Sequence, residues 1–314
     1  MSDFVVACRY RCESAAASSV RWLVPFVPMT AVRTVGRTVG MLAYVVDGRR
    51  RRTALENLEF AFPGRSVQAR RALVRSMFAH FGALLFELIK FDSYSRAQMI
   101  AASEVEGEER LRQAQAQGKG VLIFTGHFGY WELLAMAHAL RMEPMTVLAR
   151  PLDNPYLHTA LEEVRTSTGN AVIYREGAVR RILRGLAAGG IVGILIDQHL
   201  HSTDAVYVEF FRRPAATTSA LAALALRTGA PVIPVFALPL PNGRYRFIYE
   251  HPVDPPAADT PDAVREFTQR CTDVLEMYVR RHPDLWMWMH RRWRDVDAPA
   301  GESPLDEPSA EADG

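Results

Sequence analysis

Apolar positions along this chain follow two rhythms. Up to Gly118 they recur mainly at helical spacing, and Val74, Met77, Phe78, Phe81, Leu84, Leu85 and Leu88 mark helices through residues 66–117. From Gly120 onward short continuous apolar runs alternate with amphipathic ones. Val121 to Phe124 reads as a strand and 131–141 as the helix after it. Then come strand Met145 to Ala149, helix 156–168, strand Ala171 to Tyr174, helix 177–188 and strand Ile191 to Ile196. Helix 217–228, strand Pro231 to Leu238, strand Tyr245 to Tyr249 and a long amphipathic helix, 262–281, complete the series. Strands alternating with helices predict an α/β fold whose mainly parallel sheet is flanked by helices. Functional groups then collect at the carboxyl ends of the strands, where His127, Arg150 and Asp197 fall.

The first 46 residues are apolar but broken. Pro25, Pro28, Arg21, Arg33 and Arg37 interrupt them, so no uncharged run reaches the length of a simple membrane-spanning helix. Amphipathic helix edged with arginine suits a membrane interface; a helical subdomain packed on the core fits the same pattern. Residues 1–47 are therefore read as a membrane-associating helical segment, peripheral or shallowly inserted, 48–295 as the catalytic domain and 296–314 as an acidic disordered tail.

The stretch from Gly120 to Leu134 carries the chemistry. An apolar strand runs into a glycine-bracketed His127, and Glu132 follows inside the next helical pattern. Five residues apart on one helix would put the two about 140° apart, so His127 belongs in the turn. Glu132 can then fold back onto one imidazole nitrogen, fixing the tautomer and leaving the other nitrogen to take a proton. No Gly-x-Ser-x-Gly and no nearby cysteine supplies a nucleophile, which favours direct attack by a substrate hydroxyl. His-x4-Glu lacks the paired histidines of a helical zinc site, and neither a metal nor another resident cofactor is expected. Cys8, Cys12 and Cys271 form no even disulfide set and suggest a reducing compartment.

Charge adds a surface. Net charge is only +2, yet residues 1–70 hold eleven arginines against five acids, and every charged residue after Arg294 is acidic. Arg49, Arg50, Arg51 and Arg52 open a helical pattern, where cations oppose the helix dipole. Such a cluster suits anions, either lipid head groups or an acidic partner protein; no nucleic-acid partner is expected.

Six stretches in order resemble the bacterial late acyltransferases of lipid A biosynthesis, within the glycerolipid acyltransferase superfamily marked by His-x4-Asp/Glu. They are RRRRTALENLEFAFP (49–63), TGHFGYWE (125–132), ARPLDNP (149–155), IDQ (196–198), VEFFRRPAAT (208–217) and WMHRRW (288–293). The resemblance implies a glycerol-3-phosphate acyltransferase-like fold at the cytoplasmic face of the inner membrane. It also implies acyl transfer from an acyl carrier protein or coenzyme A thioester to a hydroxyl of a lipid A-type glycolipid. His127 matches the family's base and Glu132 its partner. Arg150, Asp197, Phe210, Phe211, Thr217, Arg291 and Arg292 match positions expected at the substrate site, Asp197 as a site organiser. Arg212 stands where the family usually has glycine. A lysophospholipid, a mannosylated phosphatidylinositol or an aminolipid is an alternative acceptor, and a non-catalytic membrane lipid-binding protein is a second alternative.

Overall fold

The computed structural model describes residues 3–174, 177–200, 205–241, 243–256 and 262–294. Helices α1 (Asp3–Leu23), α2 (Met29–Val46), α3 (Gly48–Ala61) and α4 (Val67–Asp92) come first, then α5 (Arg96–Ala101), β1 (Ser103–Glu106) and α6 (Glu108–Gln115). The alternating part follows as β2 (Val121–Thr125), α7 (Trp131–Arg141), β3 (Met145–Ala149), α8 (Pro155–Thr166), β4 (Ala171–Tyr174), α9 (Ala178–Ala187) and β5 (Ile191–Leu195). A hairpin of β6 (Ala205–Phe210) and β7 (Arg213–Thr218) precedes α10 (Ala220–Thr228), β8 (Val232–Pro239), β9 (Tyr245–Tyr249) and α11 (Ala263–Arg281).

Among the described residues one seven-stranded sheet has the order β1-β9-β8-β2-β5-β3-β4. Its pairings are parallel except β8 with β9. In the centre, β2 is buried along its whole length. Val121 and Ile123 pack with Leu133, Leu134 and Val164 on one face, and Leu122 and Phe124 with Ile182, Leu186 and Leu275 on the other. Two covered faces explain why this strand is a continuous apolar run rather than an alternating one.

Two strand features depart from the expected elements. β1 interrupts the helical stretch 66–117: its polar Ser-Glu-Val-Glu sequence becomes a sheet edge through parallel pairing with β9. The β6–β7 hairpin occupies a segment the periodicity leaves unassigned, and α10 starts at Ala220, after β7, rather than at Thr217. The expected tail, 296–314, lies outside the described residues.

The N-terminal helices are apolar on more than one side. α2 approaches α4 through small residues: a Cβ on Gly40 would lie 2.0 Å from the Phe78 carbonyl oxygen, and one on Gly82 2.3 Å from that of Gly36. Arg33 on α2 then reaches Glu87 on α4 at 2.9 Å. That buried carboxylate also accepts from the hydroxyls of Tyr130, at 3.1 Å, and Tyr245, as a buried charge requires. Away from this contact Trp22, Phe26, Val35, Val39, Leu42 and Val46 stand exposed, Phe26 at 79% and Val46 at 82%. By length and composition α4 could cross a membrane, yet it places Val74, Met77, Phe78, Leu84 and Leu88 in the core.

The β6–β7 turn has two residues, Phe211 at φ 55° and Arg212 at φ 61°. This left-handed pair matches the twist of a two-residue hairpin but costs a non-glycine residue about 1–2 kcal/mol. Arg212 is exposed. Arg212→Gly is therefore expected to stabilise the fold by about 1 kcal/mol, read as a higher urea midpoint at unchanged slope; a lower midpoint would mean that the arginine side chain makes a compensating contact.

Candidate active site

β2 ends at Thr125, and the chain turns through Gly126, His127, Phe128 and Gly129 before α7. Backbone bonds pin the turn to β8 and to the C-terminal segment. Tyr130 N donates to Ala237 O at 3.1 Å, Gly129 N to Leu285 O at 2.9 Å, and Met287 N to His127 O at 3.2 Å. Gly129 adopts φ 58°, and a Cβ there would sit 1.9 Å from Ala237 O, so the position admits only glycine. Beneath the turn, burial lowers the His80 pKa to about 4. The neutral ring lies 3.2 Å from Gly129 O through Nε2.

The His127 ring is held by Asp197, at the end of β5. His127 Nδ1 lies 2.8 Å from Asp197 Oδ1, while Oδ2 accepts from the His127 backbone N–H at 2.7 Å and from Trp286 Nε1 at 2.8 Å. A Cβ on Gly126 would come within 3.0 Å of this carboxylate, so the absence of a side chain lets it approach. Burial alone would raise the Asp197 pKa. The His127 charge, its two hydrogen bonds and the Trp286 indole outweigh burial and hold it at about 2. Burial likewise opposes protonation of His127, but Asp197, with Glu132 adding to it, lifts the His127 pKa above its ordinary value. With Nδ1–H engaged, Nε2 is left to accept a proton; Gln198 Nε2 lies 3.3 Å from it. The edge of Trp131 packs on the ring at 5.3 Å between centroids.

Glu132 does not make the expected bond to His127. From the first turn of α7 its carboxylate is taken in two-pronged fashion by Arg165 on α8, with Nε to Oε2 at 3.0 Å, and by Trp131 Nε1 at 3.2 Å. The side of the ring that Glu132 was to hold already faces β5. Orientation of His127 therefore falls to Asp197, and Glu132 acts on it through the field.

The other expected residues separate into three groups. Arg150 stands beyond β3 with its side chain 86% exposed, 3.4 Å from Asp153. Phe210, Phe211, Thr217 and Arg292 lie in the interior rather than on a substrate surface. The two phenylalanines pack among Trp286, Trp288 and Trp293. Arg292 gives its guanidinium to Ala216 O and Thr217 Oγ1, and burial lowers its pKa to about 10. They hold the C-terminal segment against the hairpin, and Phe128 bridges to Trp286 in the same segment. Finally, the arginine run is divided. Arg50 pairs with Asp47 at 2.7 Å, Asp47 accepts from Arg50 N as the cap of α3, and Arg51 donates to the carbonyls of Tyr44 and Val45 at the end of α2. Arg49, Arg52 and Arg291 remain exposed.

A narrow apolar cavity opens beside the site between the sheet and α7–α8. Ile123, Leu134, Met145, Val147 and Val164 line it, with Thr125, Trp131 and Glu132 among its walls.

A family model for bacterial lipid A biosynthesis acyltransferases matches residues 9–295. The chain belongs to that family. It is similar to the lipid A biosynthesis lauroyltransferase of Escherichia coli K12, at 29% identity over 88% of this chain and 89% of the relative. The palmitoleoyltransferase of the same organism matches at 26% over 91% and 92%, and its myristoyltransferase at 24% over 76% and 73%. This acyltransferase carries His127 in the β2–α7 turn and Glu132 on the first turn of α7, with the imidazole bond made by Asp197.

Asp197→Asn keeps the shape of the side chain and removes its charge. The raised His127 pKa contributes stability that is complete below the unfolded value of ~6.5 and is lost as pH rises through the folded value. The depressed Asp197 pKa contributes stability above ~3.9 that is lost as pH falls through about 2. Asparagine removes both contributions. If His127 is the base it must be neutral, so the acid limb of wild-type kcat/KM is expected above pH ~6.5. In Asp197→Asn the limb moves to lower pH and the plateau falls by roughly 10²-fold. Glu132→Gln displaces the limb less; a larger displacement there would reverse the assignment of the orienting carboxylate.

Proposed function

We propose that this acyltransferase moves a fatty acyl chain from an acyl carrier protein or coenzyme A thioester to a hydroxyl of a lipid A-type glycolipid precursor, with His127 as general base. The observation that carries the reading is a histidine whose Nδ1 is bonded to a buried carboxylate while Nε2 meets only the exposed amide of Gln198, which a substrate hydroxyl can displace. Cys8 and Cys12 lie on α1 and Cys271 is buried in α11, away from the turn, which favours direct transfer over an acyl-enzyme. In that step Nε2 takes the hydroxyl proton as the oxygen attacks the thioester carbonyl. The tetrahedral oxyanion then collapses, the C–S bond breaks, and the imidazolium returns the proton to the departing thiolate. The neighbouring apolar cavity holds about 60 Å³, room for the end of an acyl chain rather than its length, so its walls would have to part to admit a donor chain.

The acceptor class rests on the relatives, whose names give lipid A biosynthesis. A membrane-embedded acceptor also suits the exposed apolar residues on and before α2, which favour seating at the cytoplasmic face of the inner membrane as a peripheral or shallowly inserted protein. No observation favours a lysophospholipid acceptor.

His127→Ala is expected to lower acyl transfer by purified protein by about 10² to 10⁴; an unchanged rate would remove the base from the mechanism. Lipid mass spectrometry of cells with and without the gene is expected to differ by one acyl chain in a lipid A species. A shift confined to glycerophospholipids would replace the acceptor. For the membrane contact, Trp22→Ser with Phe26→Ser is expected to reduce flotation with neutral vesicles, because each loses roughly 1.5–3 kcal/mol of burial; equal flotation would place the contact elsewhere.

A further inference from the structure

A second cavity lies apart from the histidine. It is a groove of about 600 Å³ lined by Gly48, Arg49, Arg51, Arg52, Thr53, Leu55, Glu56 and Arg291. Its cations come from two places far apart in sequence, the start of α3 and the segment that follows Trp288. Arg51 is committed to the α2 carbonyls, but Arg49, Arg52 and Arg291 carry no hydrogen bond or ion pair among the described residues. Glu56, one turn beyond Arg52, shares the groove without pairing to it. These three guanidinium groups line one opening without a hydrogen-bonded partner among the described residues, Arg49 lying only in the field of Asp47, and an oxyanion with several acceptor atoms relieves their mutual repulsion.

The groove's position narrows the ligand. On one side it meets the end of α2, where Leu42, Val45 and Val46 are exposed. On the other it is joined to the histidine by a single stretch of chain. Met287 N donates to His127 O, Asn57 Nδ2 on α3 donates to the carbonyls of Trp288 at 2.7 Å and His290 at 2.8 Å, and Arg291 follows. Four residues of chain from Met287 to Arg291 span at most about 14 Å. The groove thus lies between an apolar surface and the proton acceptor, within reach of one head group.

We propose that Arg49, Arg52 and Arg291 form a subsite for a phosphate monoester on the acceptor glycolipid, which fixes the head group so that one hydroxyl meets His127 Nε2. The subsite rests on the acyl-transfer reading above and adds to it a recognised group and the residues that hold it. Binding at this distance from the reacting atoms orients the acceptor without taking part in bond making.

The test is steady-state transfer from an acyl carrier protein thioester to a detergent-dispersed lipid A precursor, with its phosphates and after their enzymatic removal. The wild type is compared with Arg52→Gln/Arg291→Gln and with Arg52→Lys/Arg291→Lys. The glutamine pair is expected to raise KM for the phosphorylated acceptor by roughly tenfold to a hundredfold, the loss of charge-assisted hydrogen bonds, with kcat within about twofold. KM for the dephosphorylated acceptor is expected to be high in the wild type and unmoved in the variant, and lysine to restore part of the difference. An unchanged KM, or an equal rise for both acceptors, overturns the subsite. So does a glutamine pair that loses binding to phosphatidylglycerol vesicles yet keeps the wild-type KM in detergent, because the arginines would then serve the bulk membrane. Wild-type transfer to both acceptors with equal KM overturns the subsite alone, whereas transfer to neither overturns the acyl-transfer reading with it. Arg49→Gln reads the same groove if the double substitution fails to fold.

Discussion

The Asp197 carboxylate is the constraint around which the site is built. Only 3% exposed, it would be costly in so dry a place without partners. Its two oxygens collect bonds from the His127 backbone, the His127 ring and the Trp286 indole. The carboxylate at the end of β5 thereby ties together two other parts of the chain, the β2–α7 turn and the C-terminal segment. One buried charge therefore fixes the loop, the tautomer and the closing segment together. The same bonds that satisfy the carboxylate give the histidine its basicity, so stability and reactivity at this point cannot be varied independently.

The pattern of apolar residues was enough to place β3, β4, β9 and α7 at their observed bounds and to identify the turn that holds His127. Those elements are governed by local periodicity and by burial on both sides of a parallel sheet. β1 and the β6–β7 hairpin were not legible. The first is a polar edge made a strand by β9, and the second turns on two residues, Phe211 and Arg212, that carry no glycine signal. Asp197 stands among the expected strand-end groups as a site organiser, but its bond to His127 is expected of Glu132. Glu132 is five residues from His127 and Asp197 seventy, and sequence proximity favoured the wrong one. The available signal was an acidic residue ending a fully apolar strand next to the central one, a place where an unpaired charge could not persist.

The C-terminal Trp and Arg residues teach the opposite lesson. Trp286, Trp288, Trp293 and Arg292 have the composition of a membrane-interface motif, yet all four are buried. Trp288 Nε1 donates to Pro283 O at 2.6 Å and Trp293 Nε1 to Phe210 O at 3.2 Å, so each indole finds its partner inside the protein. An aromatic side chain with a polar handle suits an interface or a satisfied core equally well. Only the hairpin opposite decides between them, and the periodicity did not contain it. Arg291, next in line to Arg292, faces outward, and a single step along a segment of turns separates a structural guanidinium from an exposed one.

α2 illustrates how one helix can be held by the protein and still present apolar surface. Gly36 and Gly40 let its backbone close on α4, where the partly exposed Arg33 reaches the buried Glu87 carboxylate and locks its position. The larger residues Val35, Val39, Leu42 and Val46 are thereby turned outward. Small residues on the packed side and large ones on the open side invert the usual arrangement of an amphipathic helix, whose large apolar residues face the core. On the proposed reading, a direct transfer without a covalent intermediate needs donor and acceptor bound together, and two approaches to His127 are then required. The apolar cavity beside α7 and α8 and the arginine-lined groove share no lining residue, so the proposed donor and acceptor sites would not compete for one opening.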